Sequence, residues 1–181
     1  MVDYTIENVI VTTEVNANLN FKSVASSLEN VEYDPTVFPG IVIKLDNPKT
    51  ATFLLKNGRM VCSGGRSFKE SRQALETVAR KLKGAGIELN EELDIDIRNI
   101  IVSVDLKTRL RLEEVAEVFS WKNIKYEPDV FEGLVYQTEL ESVEILLFDS
   151  GKLVCQGARK LSEINKVLDK FINRIHSVGL I

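Results

Sequence analysis

The chain predicts an α+β fold built twice. Tyr33-Asp-Pro-Thr-Val-Phe38-Pro-Gly40 returns as Tyr126-Glu-Pro-Asp-Val-Phe131-Glu-Gly133, and Gly58-Arg-Met-Val-Cys-Ser-Gly-Gly-Arg66 returns as Gly151-Lys-Leu-Val-Cys-Gln-Gly-Ala-Arg159. Both pairs are offset by 93 residues. Ile6-Glu-Asn8 returns as Ile97-Arg-Asn99 at an offset of 91, so the second copy carries a two-residue insertion. Each copy also reads as strand, helix, several strands, long helix, which is the second observation. The third is composition: 44% hydrophobic and 28% charged residues are ordinary for a globular chain. The expected halves are residues 1–91 and 92–181, each long enough for a modest core.

In the first half, Thr5–Thr13 is rich in β-formers. Phe21–Leu28 has helical spacing behind a candidate cap, Asn20. Ile41–Leu45, Ala51–Lys56 and Arg59–Ser63 read as strands, with turns at Asp46-Asn-Pro-Lys49 and Lys56-Asn-Gly58. Ser67 and Glu70 form a capping box for a helix whose Leu75, Val78, Ala79 and Leu82 share one face. Gly84 and Gly86 end it. In the second half, strands are expected at Ile95–Val104, Leu134–Thr138, Val143–Phe148 and Lys152–Gln156. Helices are expected at Leu112–Phe119 and Leu161–Val178. The linker Glu88–Asp94 is short and acidic, so the two halves are expected to share one sheet.

The strands do not alternate as a half-wetted antiparallel sheet should. Val9, Val11, Leu54, Met60 and Cys62 can face the helices, but then Ile10, Phe53, Leu55 and Val61 point the other way. In the second half Ile101, Leu146 and Phe148 do the same. Two long helices cover one face; the other is left apolar and needs a partner. A further layer or a second copy of the chain would cover it. So would a DNA minor groove, whose floor offers acceptors and apolar sugar edges. Few polar groups lie on that face, chiefly Asn8, Asn99, Ser63 and Gln156. Phe38 and Phe131 sit in equivalent turns beside glycines, as a pair of wedges would.

Charge separates the halves. Residues 1–91 hold 11 Lys and Arg against 11 Asp and Glu; residues 92–181 hold 12 against 16, the whole of the net −4. A sequence pI near 5.2 argues against nonspecific nucleic-acid binding but leaves room for a local basic rim. Cys62 and Cys155 are repeat equivalents, expected as reduced, buried, small hydrophobes of an intracellular protein, with no zinc site. No metal, cofactor or catalytic constellation is expected. His176, the only histidine, lies in the last helix, and no phosphate-cradling glycine loop precedes a helix. Phe119 and Trp121 read as core or support. No secretory signal or membrane span is expected.

With these residues the chain resembles the TATA-box-binding protein family, archaeal in type, over essentially its whole length. Minor-groove wedge binders have that family as a standing example. The resemblance implies a saddle, with a curved antiparallel sheet of about ten strands below and helices on the convex face. It implies polar groove contacts at Asn8, Asn99, Ser63 and Gln156, and apolar ones at Ile10, Val61, Ile101, Val154, Phe53 and Leu146. The wedges fall on Phe38 with Leu55 and on Phe131 with Phe148. Phosphate contacts fall on Lys44, Lys49, Arg59, Arg66, Lys152 and Arg159, which together give a log–log salt slope of roughly −5. Glu127, Asp129 and Val130 match the stirrup that receives transcription factor B. The partners implied are double-stranded promoter DNA, transcription factor B, RNA polymerase indirectly, and a homodimer when DNA is absent; location is cytoplasmic, at the nucleoid.

The chain also departs from the family. Leu55 replaces an aromatic wedge, Glu132 a small residue or proline, and Gln156 a threonine-like residue. Gln137 and Ser142 stand where the first half has Lys44 and Lys49, and the Glu139-Leu-Glu141-Ser turn lacks the Pro48-Lys49 of its counterpart. Two functions stand open: a promoter-binding factor that bends A·T-rich DNA, and a diverged regulator acting mainly through protein partners.

Overall fold

The computed structural model describes residues 2–15, 19–89, 92–119 and 123–181. Trp121 and part of the acidic linker lie outside them. The chain divides into two compact units, Asn8–Arg98 and the first seven residues with Asn99–Ile181.

In the Asn8–Arg98 unit the strands are β1 (Thr5–Glu14, whose first residues count with the other unit), β2 (Val31–Glu32), β3 (Gly40–Asp46), β4 (Lys49–Leu55) and β5 (Arg59–Ser63). They pair antiparallel in the order β2-β3-β4-β5-β1. Register puts Ile43, Thr52, Cys62 and Val11 side by side, all buried. The next row, Val42, Phe53 and Val61, faces the other side and is half-buried. Helix α1 (Phe21–Ser27) packs on β3, and α2 (Phe68–Gly84) on β4 and β5. Asn20 Oδ1 accepts from the Ser23 amide at 3.2 Å and starts α1. Ser67 Oγ accepts from the Glu70 amide at 3.1 Å and starts α2. The Glu70 carboxylate accepts from the Arg66 amide rather than from Ser67, one residue outside the expected box. Ala74, Leu75, Val78 and Leu82 are the buried stripe. Ser71 Oγ, fully buried, donates to the Val9 carbonyl at 2.7 Å and fixes helix to strand.

In the other unit the strands are β6 (Asp96–Asp105), β7 (Ile124–Tyr126), β8 (Leu134–Gln137), β9 (Glu144–Leu147) and β10 (Lys152–Ala158), in the order β6-β10-β9-β8-β7. Helix α3 spans Leu112–Val118 and α4 Leu161–Ser177, the latter packed on β10. The Glu163 carboxylate accepts from the Arg159 and Lys160 amides and holds the start of α4. Phe171 of α4 stacks on Phe119 at 5.1 Å between ring centres and lies against Tyr136 at 5.2 Å. Phe119 is thus a core support, as expected. Cys62 and Cys155 are free and buried; burial pushes the Cys155 thiol up to about 12, so it stays protonated and inert.

Ten strands and four helices among the described residues make the fold α+β. The short strands β2 and β7 were not expected. β10 runs two residues beyond its expected end, across a register shift between Cys155 and Ala158. No helix among the described residues is long and apolar enough to cross a membrane.

Candidate nucleic-acid interface

Period-2 geometry sends alternate strand residues to opposite faces, and burial separates the faces cleanly. In the first unit Asn8, Ile10, Phe53, Leu55, Val61 and Ser63 are half-buried, while their neighbours are covered by helices. In the second, Asn99, Ile101, Leu146, Phe148, Val154 and Gln156 are half-buried in the same way. Each unit therefore carries an apolar β-face that its own helices leave open.

Each asparagine is fixed by the joint between a strand and a long helix. Asn8 Oδ1 accepts from the Gly64 amide at 2.8 Å, and Asn99 Oδ1 from the Gly157 amide at 2.7 Å. These glycines sit at φ +107° and +97°, a region that side chains avoid. Each bond fixes the amide orientation, with Oδ1 toward the joint and Nδ2 on the side away from the glycine amide. Asn8 Nδ2 donates to Ser63 Oγ at 2.9 Å. Donors presented on an apolar face fit a surface made of acceptors.

The two phenylalanine turns are built alike. Phe38 and Val37 amides donate to the Asp34 carbonyl; Phe131 and Val130 amides donate to that of Glu127. Each ring folds over the following glycine: a Cβ on Gly40 would stand 2.5 Å from the Phe38 ring, and one on Gly133 2.6 Å from the Phe131 ring. Phe131 meets Phe148 edge-to-face at 5.8 Å. Phe38 meets Phe53 edge-to-face at 5.7 Å. The aromatic partner has moved two residues along the strand, and Leu55 lies opposite Gly40. Val37 and Val130, at the tips, are 81% and 77% exposed.

The candidate cations are not equivalent. Lys44 pairs with Glu32, and Arg59 makes two bonds to Glu14 at 2.9 and 3.2 Å. Lys49, Arg66, Lys152 and Arg159 make no ion pair among the described residues and are exposed. In the second unit an open cleft of about 730 Å³ beside Phe148 is lined by Asp3, Glu7, Asp105, Glu132 and Asp149 against Lys107 and Lys152. Carboxylates thus outnumber cations next to the second phenylalanine pair.

Sequence reasoning missed one residue of this face. Glu144 precedes Leu146 by two positions on β9 and shares its side. Its carboxylate accepts from Gln156 Nε2 at 2.6 Å. The alternation that placed Leu146 and Phe148 also places Glu144.

The family model for transcription factor TFIID, or TATA-binding protein, matches residues 3–85 and 94–178. The chain belongs to the TATA-binding protein family. The TATA-box-binding protein of Thermoplasma volcanium is 37% identical over 177 residues, covering 98% of this chain and 96% of that one. That of Natronomonas pharaonis is 38% identical over 176 residues, covering 97% and 94%. Among solved structures, the Methanococcus jannaschii TATA-binding protein superposes with a TM-score of 0.85 at 34% identity, covering 97% of this chain and 99% of that one. The two tandem repeats and the α+β fold are thus those of the family, as the sequence predicts. The family is one of transcription factors, by the description of its model.

Proposed function

We propose that this protein is a general transcription factor that lies in the minor groove of A·T-rich promoter DNA, bends it, and recruits transcription factor B. The observation that carries the reading is the half-buried apolar β-face in each repeat, on which an asparagine is held by its Oδ1 with Nδ2 hydrogens still to donate. An A·T minor groove presents acceptors and apolar edges, and such a face supplies their complement. The site residues are then those expected from the sequence. Asn8, Asn99 and Ser63 donate; Ile10, Phe53, Val61, Ile101, Leu146 and Val154 exclude water. Phe38 with Leu55 and Phe131 with Phe148 enter base steps. Lys49, Arg66, Lys152 and Arg159 meet phosphates directly, and Lys44 and Arg59 do so after releasing their carboxylates. Glu127, Asp129 and Val130 offer a basic partner an acidic, apolar-tipped stirrup. The protein performs no catalysis in this role. It acts at the nucleoid, in the cytoplasm.

Energy-transfer measurement on an end-labelled A·T-rich duplex tests this. The wild type bends the duplex at low salt; Phe131→Ala with Phe148→Ala removes the bend at the second repeat and weakens binding by about tenfold or more. No binding at low salt, with or without factor B, defeats the reading. That outcome would favour the alternative of a regulator working through protein partners, for which the acidic cleft beside Phe148 and the two neutralised cations speak.

A further inference from the structure

The polar row on the β-face differs in kind between the repeats. In the first, register aligns Lys44, Ala51 and Ser63, with Asn8 bonded to Ser63. This row holds three groups able to donate, an ammonium, a hydroxyl and an amide N–H, and no carboxylate. In the second, the equivalent row is Gln137, Glu144 and Gln156. Gln137 Nε2 is spent on the carbonyls of Glu141 and Val143, at 2.9 and 3.2 Å. Gln156 Nε2 is spent on the Glu144 carboxylate. Both amide orientations are forced, because carbonyls and carboxylates only accept. Left over in this row are Glu144 Oε2, Gln156 Oε1 and Gln137 Oε1, all acceptors, and a single donor, the second Nε2 hydrogen of Gln156.

An A·T pair shows the minor groove only acceptors, and the one donor a natural base pair adds there is the guanine N2 amino group. Glu144 against adenine N3 or thymine O2 would set lone pair against lone pair, with a half-buried carboxylate stripped of water. We infer that the second repeat reads a G·C pair, Glu144 accepting the one guanine amino hydrogen that Watson–Crick pairing leaves in the groove, while the first repeat reads A·T. The binding site is then of mixed composition, with one guanine at a fixed position. The inference rests on the minor-groove reading above and adds which base pair the second repeat selects.

The test uses the full chain and a panel of A·T-rich duplexes, each with one G·C pair at a different position, and the same panel with inosine for guanine. Inosine lacks only the N2 amino group. At one position guanine should bind about tenfold tighter than inosine, and Glu144→Ala should abolish the difference. Binding with no guanine-over-inosine preference anywhere, or a preference that survives Glu144→Ala, overturns this inference and leaves the groove reading intact. No binding to any duplex by either protein overturns both. Should Glu144→Ala fold poorly, the guanine–inosine comparison on the wild type decides alone.

Discussion

At the scale of single residues, two glycine pairs do different work, and substitution separates them. Gly157 has φ +97°, and a Cβ there would stand 1.6 Å from the Ser142 carbonyl oxygen. Neither strand backbone nor joint can move aside, so Gly157→Ala should lower unfolding stability by at least about 2 kcal/mol in urea titration. Gly133 has no such dihedral, and the atoms nearest its Cβ would be those of the Phe131 and Phe148 rings. Phe131 is 37% exposed, so its ring can swing away. Gly133→Ala should therefore leave stability within about 1 kcal/mol of wild type yet reduce DNA bending, because the wedge is displaced. A stable Gly157→Ala, or a Gly133→Ala with full bending, would contradict the assignment of joint and wedge. Both glycines were visible as repeated letters. Their separate duties were not, because a dihedral and a ring contact exist only once the chain has folded.

At the scale of elements, long strands and helices were legible because their periods repeat several times. β1, β5, α2 and α4 fall within a residue or two of expectation. β2 and β7, of two and three residues, offer no period to read; neighbouring strands recruit them. Across-strand ion pairs were equally hidden. Glu14 and Arg59 are 45 positions apart and meet only because register sets them opposite each other. The stirrup ahead of β8 was legible as a turn, and the structure adds its anchorage: the Tyr126 hydroxyl donates to Glu113 of α3 at 3.0 Å. Glu127, Asp129 and Val130 are thereby presented on a braced turn, with only a loose Lys125 contact at 3.8 Å competing for Glu127. Glu127→Arg should cut ternary assembly with factor B at least about tenfold through like-charge repulsion, and leave binary DNA affinity within about twofold. Gel shifts with and without the factor read both quantities; undiminished ternary assembly removes the docking role.

At the scale of the whole molecule, the candidate phosphate contacts divide unequally between the repeats in number and in pairing. Four of the six candidate phosphate contacts lie in the first repeat, but Lys44 and Arg59 are already engaged by Glu32 and Glu14. Transferring either cation to a phosphate gives up one anion for another and strands the carboxylate near the backbone, so the net counterion release is small. Four free cations then set the salt dependence, two from each repeat. The slope of log K against log salt should be about −3.6 rather than the −5 that six would give. Glu14→Gln with Glu32→Gln frees both cations. It should steepen the slope by about 1 to 2 and tighten binding most at low salt, where screening is weakest. A wild-type slope near −5 that the double substitution leaves unchanged would mean that the carboxylates yield to phosphate without cost. The second repeat, with Lys152 beside the acidic cleft at Phe148, would then owe its place on DNA to the groove contacts of Ile101, Leu146 and Val154 more than to phosphate attraction.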